Sequence, residues 1–428
     1  MHIFYRNCTI EGVFMKRVTC FLIGLFTVFV CDAQQKNTSV SRWRAALHRP
    51  DGKDIVFELR GKKEQGKTVL YVSNAAEEIE ITDIKTKGDS MFFTMPAFEA
   101  SFRVKILHDG DMAGLFIKGT AAQTQHWPFT ATAKSSGLFE PDQGNAMTNI
   151  TGRWDVSITR ANGTIRKAVA EFEQHGNRLT GTFLTPSADY RYLDGVVTGD
   201  SLKLSTFDGD NIHLFEAKVD SACSISGGVF YNGYAGRETW TALRNDTIEL
   251  PEANAPTQMR EGETKLNFTF KDLNGLPVSI SDKKYKDKVV IIQLMGSWCA
   301  NCLDETKFLS GYYKENKSRG VEVIALAYEL STDAARSKAS LQKFQKLFGV
   351  QYPMLITGAA AGDDKKTEKT LPQLTPIRSF PLTIFIDKSG NVRYIHTSFY
   401  GPGSGAYYTA FKKDFYETAD KLLQEQAP

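Results

Sequence analysis

Cysteine is the first scarcity. The chain has six in 428 residues, and Cys8, Cys20 and Cys31 fall at its very start, so Cys223, Cys299 and Cys302 serve the rest. That excludes a small disulfide-stapled scaffold. Histidine is sparse too. Seven are scattered without a spaced pair, and no second CxxC accompanies Cys299 and Cys302, so the four ligands of a zinc site are missing and no metal is expected. Charge of one sign is not in excess: the formal net charge is +3 and the basic residues are spread along the chain. Composition therefore gives no argument for nucleic acid or for a membrane surface. The apolar run Cys20–Val30 is too short to cross a bilayer.

What is present is the composition of a folded protein, 42% hydrophobic and 11% aromatic, in a chain long enough for two to four domains. Lys16-Arg17 before the apolar run and Cys31-Asp32-Ala33 after it make residues 1–33 a signal peptide, with Met15 as the expected true start and cleavage after Ala33. A lipoprotein cut before Cys31 is the weaker alternative, because Val30 stands where such sites want a small residue. Either way the expected location is the periplasm or cell envelope. Cys223 is expected to be a small packed hydrophobe.

From the leader to about residue 245 the pattern is that of short strands. Runs such as Val69-Leu70-Tyr71-Val72 and Leu202-Lys203-Leu204 alternate, with Gly, Asp and Asn turns between them. An offset of 111 positions maps Trp43 onto Trp154, Gly88-Asp89-Ser90 onto Gly199-Asp200-Ser201, and Phe129-Thr130-Ala131 onto Trp240-Thr241-Ala242. The pattern predicts two related all-β units, residues 40–134 and 149–244, each a small barrel or sandwich. Their aromatic residues are read as core. Gly152-Arg153-Trp154 resembles the opening strand of lipocalin-like barrels, a three-residue match from which no ligand is carried over. Residues 246–263 are polar, hold two prolines and read as a linker.

The grammar then changes. Val289–Met295 is a near-continuous apolar run, as in a buried central strand. Helical pattern follows over 302–316, strand over 321–328, helix over 332–348, strands over 382–386 and 392–396, and a terminal helix over 407–424. Residues 265–428 are therefore an α/β domain. Trp298-Cys299-Ala300-Asn301-Cys302 stands where the central strand hands over to a helix. There the positive helix end and its free N–H groups lower a thiol's pKa, and two intervening residues place the second sulfur one turn in. Cys299 is the expected attacking sulfur and Cys302 the shielded, resolving one. Half a zinc site and a structural disulfide are the rival readings of such a pair.

The stretches FTFKDLNGLPVSISD and KVVIIQLMGSWCANCLDE, with Ser379-Phe380-Pro381-Leu382-Thr383, resemble the exported thioredoxin-like proteins of the TlpA and ResA type. The likeness covers the last 165 or so residues and none of the β units. It implies a thioredoxin fold, with Cys299 and Cys302 as the dithiol and Trp298 packed beside it. It also implies a cis peptide before Pro381, and a groove lined with Phe380 where a client strand pairs through its main chain. Glu305 matches an acidic residue of that family; Gln293 occupies the place where cytosolic thioredoxins bury an Asp and cannot take a proton. Glu305 is thus the candidate for proton transfer at Cys302, against the alternative of a carboxylate placed to suit the helix dipole. Two departures are Asn301, where proline is common, and the polar stretch 358–379 with its charged DDKKTEK patch.

The function expected is an extracytoplasmic protein-disulfide reductase that needs no cofactor. It would act on protein thiol and disulfide clients and be recycled by a membrane or exported electron donor. A peroxiredoxin-like peroxidase is one alternative, although Gly296-Ser297-Trp298 lacks the Pro-x-x-x-Thr string of such enzymes. The other is an envelope binding protein whose β units capture a glycan, peptide or envelope partner.

Overall fold

The computed structural model describes residues 41–133, 135, 137–139, 144–250 and 255–426. The signal-peptide reading lies outside them. Among the described residues no helix is long and apolar enough to cross a membrane.

The first all-β part is an antiparallel meander of nine strands: β1 (Ser41–His48), β2 (Asp54–Glu64), β3 (Lys67–Asn74), β4 (Glu77–Ile81), β5 (Ile84–Lys87), β6 (Ser90–Thr94), β7 (Ala100–Ile106), β8 (Met112–Gly119) and β9 (Thr124–Ala133). The first strand pairs with the last, but β4 and β5 do not pair with each other, so the sheet stays open at that seam. The second part closes completely. Its barrel comprises β10 (Gly152–Thr159), β11 (Ile165–His175), β12 (Arg178–Leu184), β13 (Leu193–Thr198), β14 (Ser201–Phe207), β15 (Ile212–Ser221), β16 (Ser224–Asn232) and β17 (Gly236–Arg244).

Alternation sends one set of side chains into the barrel. Along β10, Trp154, Val156 and Ile158 point inward and are fully buried, while the residues between them face out. Phe172, Phe183, Phe215, Phe230 and Trp240 fill the interior with Trp154. These barrel aromatic residues are core, as expected, whereas Phe92 of the first sheet is exposed. Pairing registers in the two parts coincide at the 111-residue offset: Trp43 faces Ala133 and Leu59, and Trp154 faces Arg244 and Ala170. The match returns past the seam, where Ile84 faces Phe93 and Gly195 faces Leu204.

Cys223 corrects an expectation. It is exposed, because the register of β15 against β16 sets it at the tip of their hairpin, where no core can cover it.

The remainder is a seven-stranded mixed sheet with helices. Its elements are β18 (Thr269–Asp272), β19 (Pro277–Ser279), β20 (Val289–Met295), α1 (Ala300–Asn316), β21 (Val321–Ala327), α2 (Ala334–Phe348), β22 (Met354–Ile356), α3 (Lys366–Thr370), β23 (Leu382–Ile386), β24 (Val392–His396) and α4 (Ala406–Gln424). The strand order is β19-β18-β22-β21-β20-β23-β24, with β20, β21 and β22 parallel. The fully buried β20 runs inside it between β21 and β23, and Gln293 is its one polar residue. The polar stretch 358–379 is no loose insertion: Leu371, Leu374 and Ile377 enter the core on one face of this sheet. The second half of the proposed linker docks on it, with Thr257 Oγ1 donating to Pro376 O at 2.9 Å and Met259 bridging Leu374.

Candidate active site

Strand β20 delivers the chain to the N-terminus of α1, and Cys299 is the N-cap of that helix. Its sulfur accepts the Cys302 N–H at 3.2 Å. This satisfies one of the helix's orphan donors with the very atom whose negative charge such donors favour. Cys299 and Cys302 are joined as a disulfide. Cys299 keeps 7% of its surface exposed and Cys302 none, so the first of the pair is the less shielded.

The surrounding loops hold the pair in place. The Phe380–Pro381 peptide is cis, and Phe380 O lies 3.7 Å from Cys299 Sγ. Trp298 meets the Phe380 ring edge-on at 5.9 Å and donates its indole N–H to Tyr328 O at 2.9 Å. Ser297 is bound by Glu329, which accepts its N–H at 2.9 Å and its hydroxyl at 2.6 Å. Burial raises the Glu329 carboxyl above its ordinary range.

Glu305 lies one turn beyond Cys302 on the same helical face, and it is buried. Its oxygens accept from Thr383 Oγ1 at 2.6 Å and Gln293 Nε2 at 2.8 Å. Burial pushes its carboxyl up to about 7, and the two hydrogen bonds only partly offset that. A helix-dipole charge would sit in solvent in the first turn; Glu305 does neither. Gln293, unable to ionise, acts as its hydrogen-bond partner.

The residues that sequence reasoning missed come from elsewhere in the chain. Asp304 is buried and faces away from Glu305's surroundings. It receives Arg191 of the barrel in a bidentate grip, Nε to Oδ2 at 2.8 Å and Nη2 to Oδ1 at 3.0 Å. The same guanidinium reaches Asp208 at 2.6 Å and Glu77 of β4 at 2.6 Å. Burial raises the Glu77 carboxyl. Asn301, inside the CxxC, donates to the buried Asp189 carboxylate and, at 3.3 Å, to the Asp189 carbonyl. Segment 399–405 is threaded between barrel and helix. Gly401 and Gly403 permit this: a Cβ would come within 2.8 Å of Asp304 Oδ2 at the first and 2.7 Å of Arg191 O at the second. A second contact joins the first sheet to α2, where Arg336 pairs with Glu99 at 2.8 Å. Asp304 stood inside the WCANCLDE string, but nothing local marks Asp189 or Arg191, because their partners on α1 lie more than 100 residues away.

Residues 262–395 match the family described as AhpC/TSA family. A thiol-disulfide oxidoreductase ResA of Bacillus cereus is 30% identical over 135 residues, covering 32% of this chain and 68% of that protein. One from Geobacillus kaustophilus is 30% identical over 141 residues, covering 33% of this chain and 71% of that protein. Against the Bacillus subtilis ResA, 29% identical, the match spans 64% of the relative's length. Among solved structures, a secreted thiol-disulfide isomerase from Corynebacterium glutamicum aligns with 42% of this chain and 99% of its own, at 22% identity and a TM-score of 0.31.

Proposed function

From residue 262 onward the chain belongs to the ResA-type thiol-disulfide oxidoreductases, and on that premise we propose that it reduces disulfides of protein clients outside the cytoplasm. The observation that carries this reading is the graded exposure of two cysteines at a helix N-terminus, beside the cis peptide Phe380–Pro381. The Cys299 thiolate attacks one sulfur of a client disulfide, forms a mixed disulfide and expels the client's other sulfur as a thiolate. Cys302 loses its proton, attacks Cys299 Sγ and closes the intramolecular disulfide, releasing the client's second thiolate. The client gains two electrons. An exported or membrane dithiol donor returns two electrons to the Cys299–Cys302 pair. Glu305, buried on the face of Cys302 with a carboxyl near neutrality, is the group suited to take the resolving proton. The leader-like segment 1–33 supports export.

A peroxidase reading gains little from the loop before the dithiol, where the Ser297 hydroxyl is taken by Glu329. We also read the two β parts as copies of one ancestral unit, a reading supported by their shared pairing register. Insulin reduction driven by dithiothreitol tests the activity; a rate no higher than background sinks it. Cys302→Ser should leave clients trapped on Cys299, and mass spectrometry of the trapped species identifies them. Recovery of no disulfide-linked protein from an exported fraction would reject protein clients.

A further inference from the structure

The barrel meets α1 with two alternate residues of one segment. Asp189 and Arg191 both face the helix, while Tyr190 between them turns into the barrel and packs on Phe183, Phe215 and Phe230. Their partners, Asn301 and Asp304, stand three apart on the helix, the spacing that puts side chains on one face. The two contacts are unlike. Arg191 grips Asp304 beyond the first turn, cation to anion. Asp189 grips Asn301 within the CxxC itself, on the turn whose N–H groups face Cys299 Sγ.

Asp189 is built in. It is buried, and its second oxygen accepts the Gly401 N–H at 3.1 Å. Neighbouring segments are pinned as well, Phe399 N–H to Ser187 O at 3.2 Å and Tyr400 Oη to Thr185 O at 2.9 Å. The groups that face its carboxylate are Arg191, Asp304, the Asn301 amide and the Gly401 N–H, with the phenols of Tyr192 and Tyr400 nearby. Burial first, then the Asp304 charge, pushes Asp189 up to about 7, while Arg191 and the two hydrogen bonds oppose the rise.

We propose that Asp189 is a positioning residue of the redox couple, supplied by the barrel: it fixes the first turn of α1 through Asn301 and, when ionised, sets an anion there that opposes the Cys299 thiolate. This rests on the oxidoreductase reading. A thiolate that is less stabilised makes the reduced form less stable, so the couple gives electrons to its client more readily. The barrel is then a part of the enzyme's electrostatics, and the choice of Asn at position 301 follows from the need for a side chain that reaches Asp189.

The test uses the full-length protein and two variants. Asp189→Asn keeps an oxygen for Asn301 and removes the charge. Asn301→Ala removes the amide that helps hold the carboxylate ionised. Two readings are taken: the pH of half-maximal Cys299 alkylation in chemically reduced protein, and the equilibrium of the disulfide with reduced and oxidised glutathione. In that exchange two glutathione thiols reduce the Cys299–Cys302 disulfide to the dithiol and become one glutathione disulfide. For Asp189→Asn we expect half-alkylation to move down by about half a unit or more and the equilibrium to shift roughly threefold toward the dithiol. Asn301→Ala should move both the same way by less. Values unchanged from wild type in both folded variants, or shifts in the opposite direction, overturn the proposal. If Asp189→Asn does not fold, Asn301→Ala decides alone by the same criteria. A wild-type disulfide that does not exchange with glutathione overturns the oxidoreductase reading instead, and alkylation still decides on Asp189.

Discussion

Helix α1 lies between two surroundings that treat neighbouring carboxylates differently. On the side of its own domain, Glu305 has only neutral partners, Gln293 and Thr383, and its carboxyl is raised to about 7. On the side of the barrel, Asp304 is clamped by Arg191. A buried carboxylate without a cation holds its proton more tightly and can exchange it near neutral pH. One clamped by a guanidinium serves as a fastener, and its worth lies in geometry. One turn of helix thus combines a face whose carboxyl lacks a cation with a docking face, and the two cysteines stand at the end they share.

Removing the docking side altogether is the largest perturbation. A fragment of residues 257–428 keeps the sheet and the segment 257–263 packed on 371–377. We expect it to fold, to melt below the full-length protein and to reduce insulin. An insoluble fragment would mean that the β parts are needed for the α/β domain to fold. Next comes Arg191→Met. It leaves Glu77, Asp208 and Asp304 buried without their shared cation, and chemical denaturation should show a loss of about 3–5 kcal/mol. A loss below about 1 kcal/mol would show that the cluster is solvated and the comparison drawn too sharply.

Glu305 sharpens the comparison from the other side. Its folded-state value lies above the ordinary carboxyl value, so its contribution to stability is full below about pH 4.5 and is lost as pH rises toward about 7. Glu305→Gln removes that loss. The variant should gain stability relative to wild type between pH 5 and pH 8, by at most about 3 kcal/mol, and denaturant midpoints across that range check it. Its exchange rate near neutral pH should fall several-fold, while alkylation of Cys299 is unchanged. An unaltered pH–rate curve removes Glu305 from the proton pathway. The smallest effect belongs to Cys223→Ser, at an exposed hairpin tip: stability within about 0.5 kcal/mol and unchanged insulin reduction.

The α/β domain was legible because its signals are local. A near-continuous apolar run over 289–295 suits a strand covered on both faces, and a CxxC after it announces a helix N-terminus. Sequence reasoning placed β20, β23 and β24 at their observed bounds and the three long helices within two residues. It missed β18, β19 and β22, which are three or four residues long and too short to show a period. In the β region the alternating pattern announced strands, yet it could not distinguish the open sheet from the closed barrel. That difference turns on whether one strand is split at Thr82-Asp83, where no marker such as Gly or Pro stands. The docking side of the site was invisible for another reason. Asp189, Arg191 and Asp304 read as ordinary surface charges until the fold brings them together. Cys223 erred through a prior that free thiols are buried, which a hairpin tip does not obey.

The open seam has a consequence for how copies of this chain meet one another. Strands β4 and β5 end the first sheet with backbone groups that another sheet could pair. One rim carries Glu78 and Glu80 exposed, and the other carries Lys85 and Lys87. Two like rims repel, which closes the route to a symmetric pair joined across this seam. Unlike rims attract, but that contact runs head to tail and leads to open-ended stacking. Against it stands brevity: rims of five and four residues offer too few hydrogen bonds to hold a second sheet. The seam therefore disfavours sheet-to-sheet association by charge in one orientation and by length in the other.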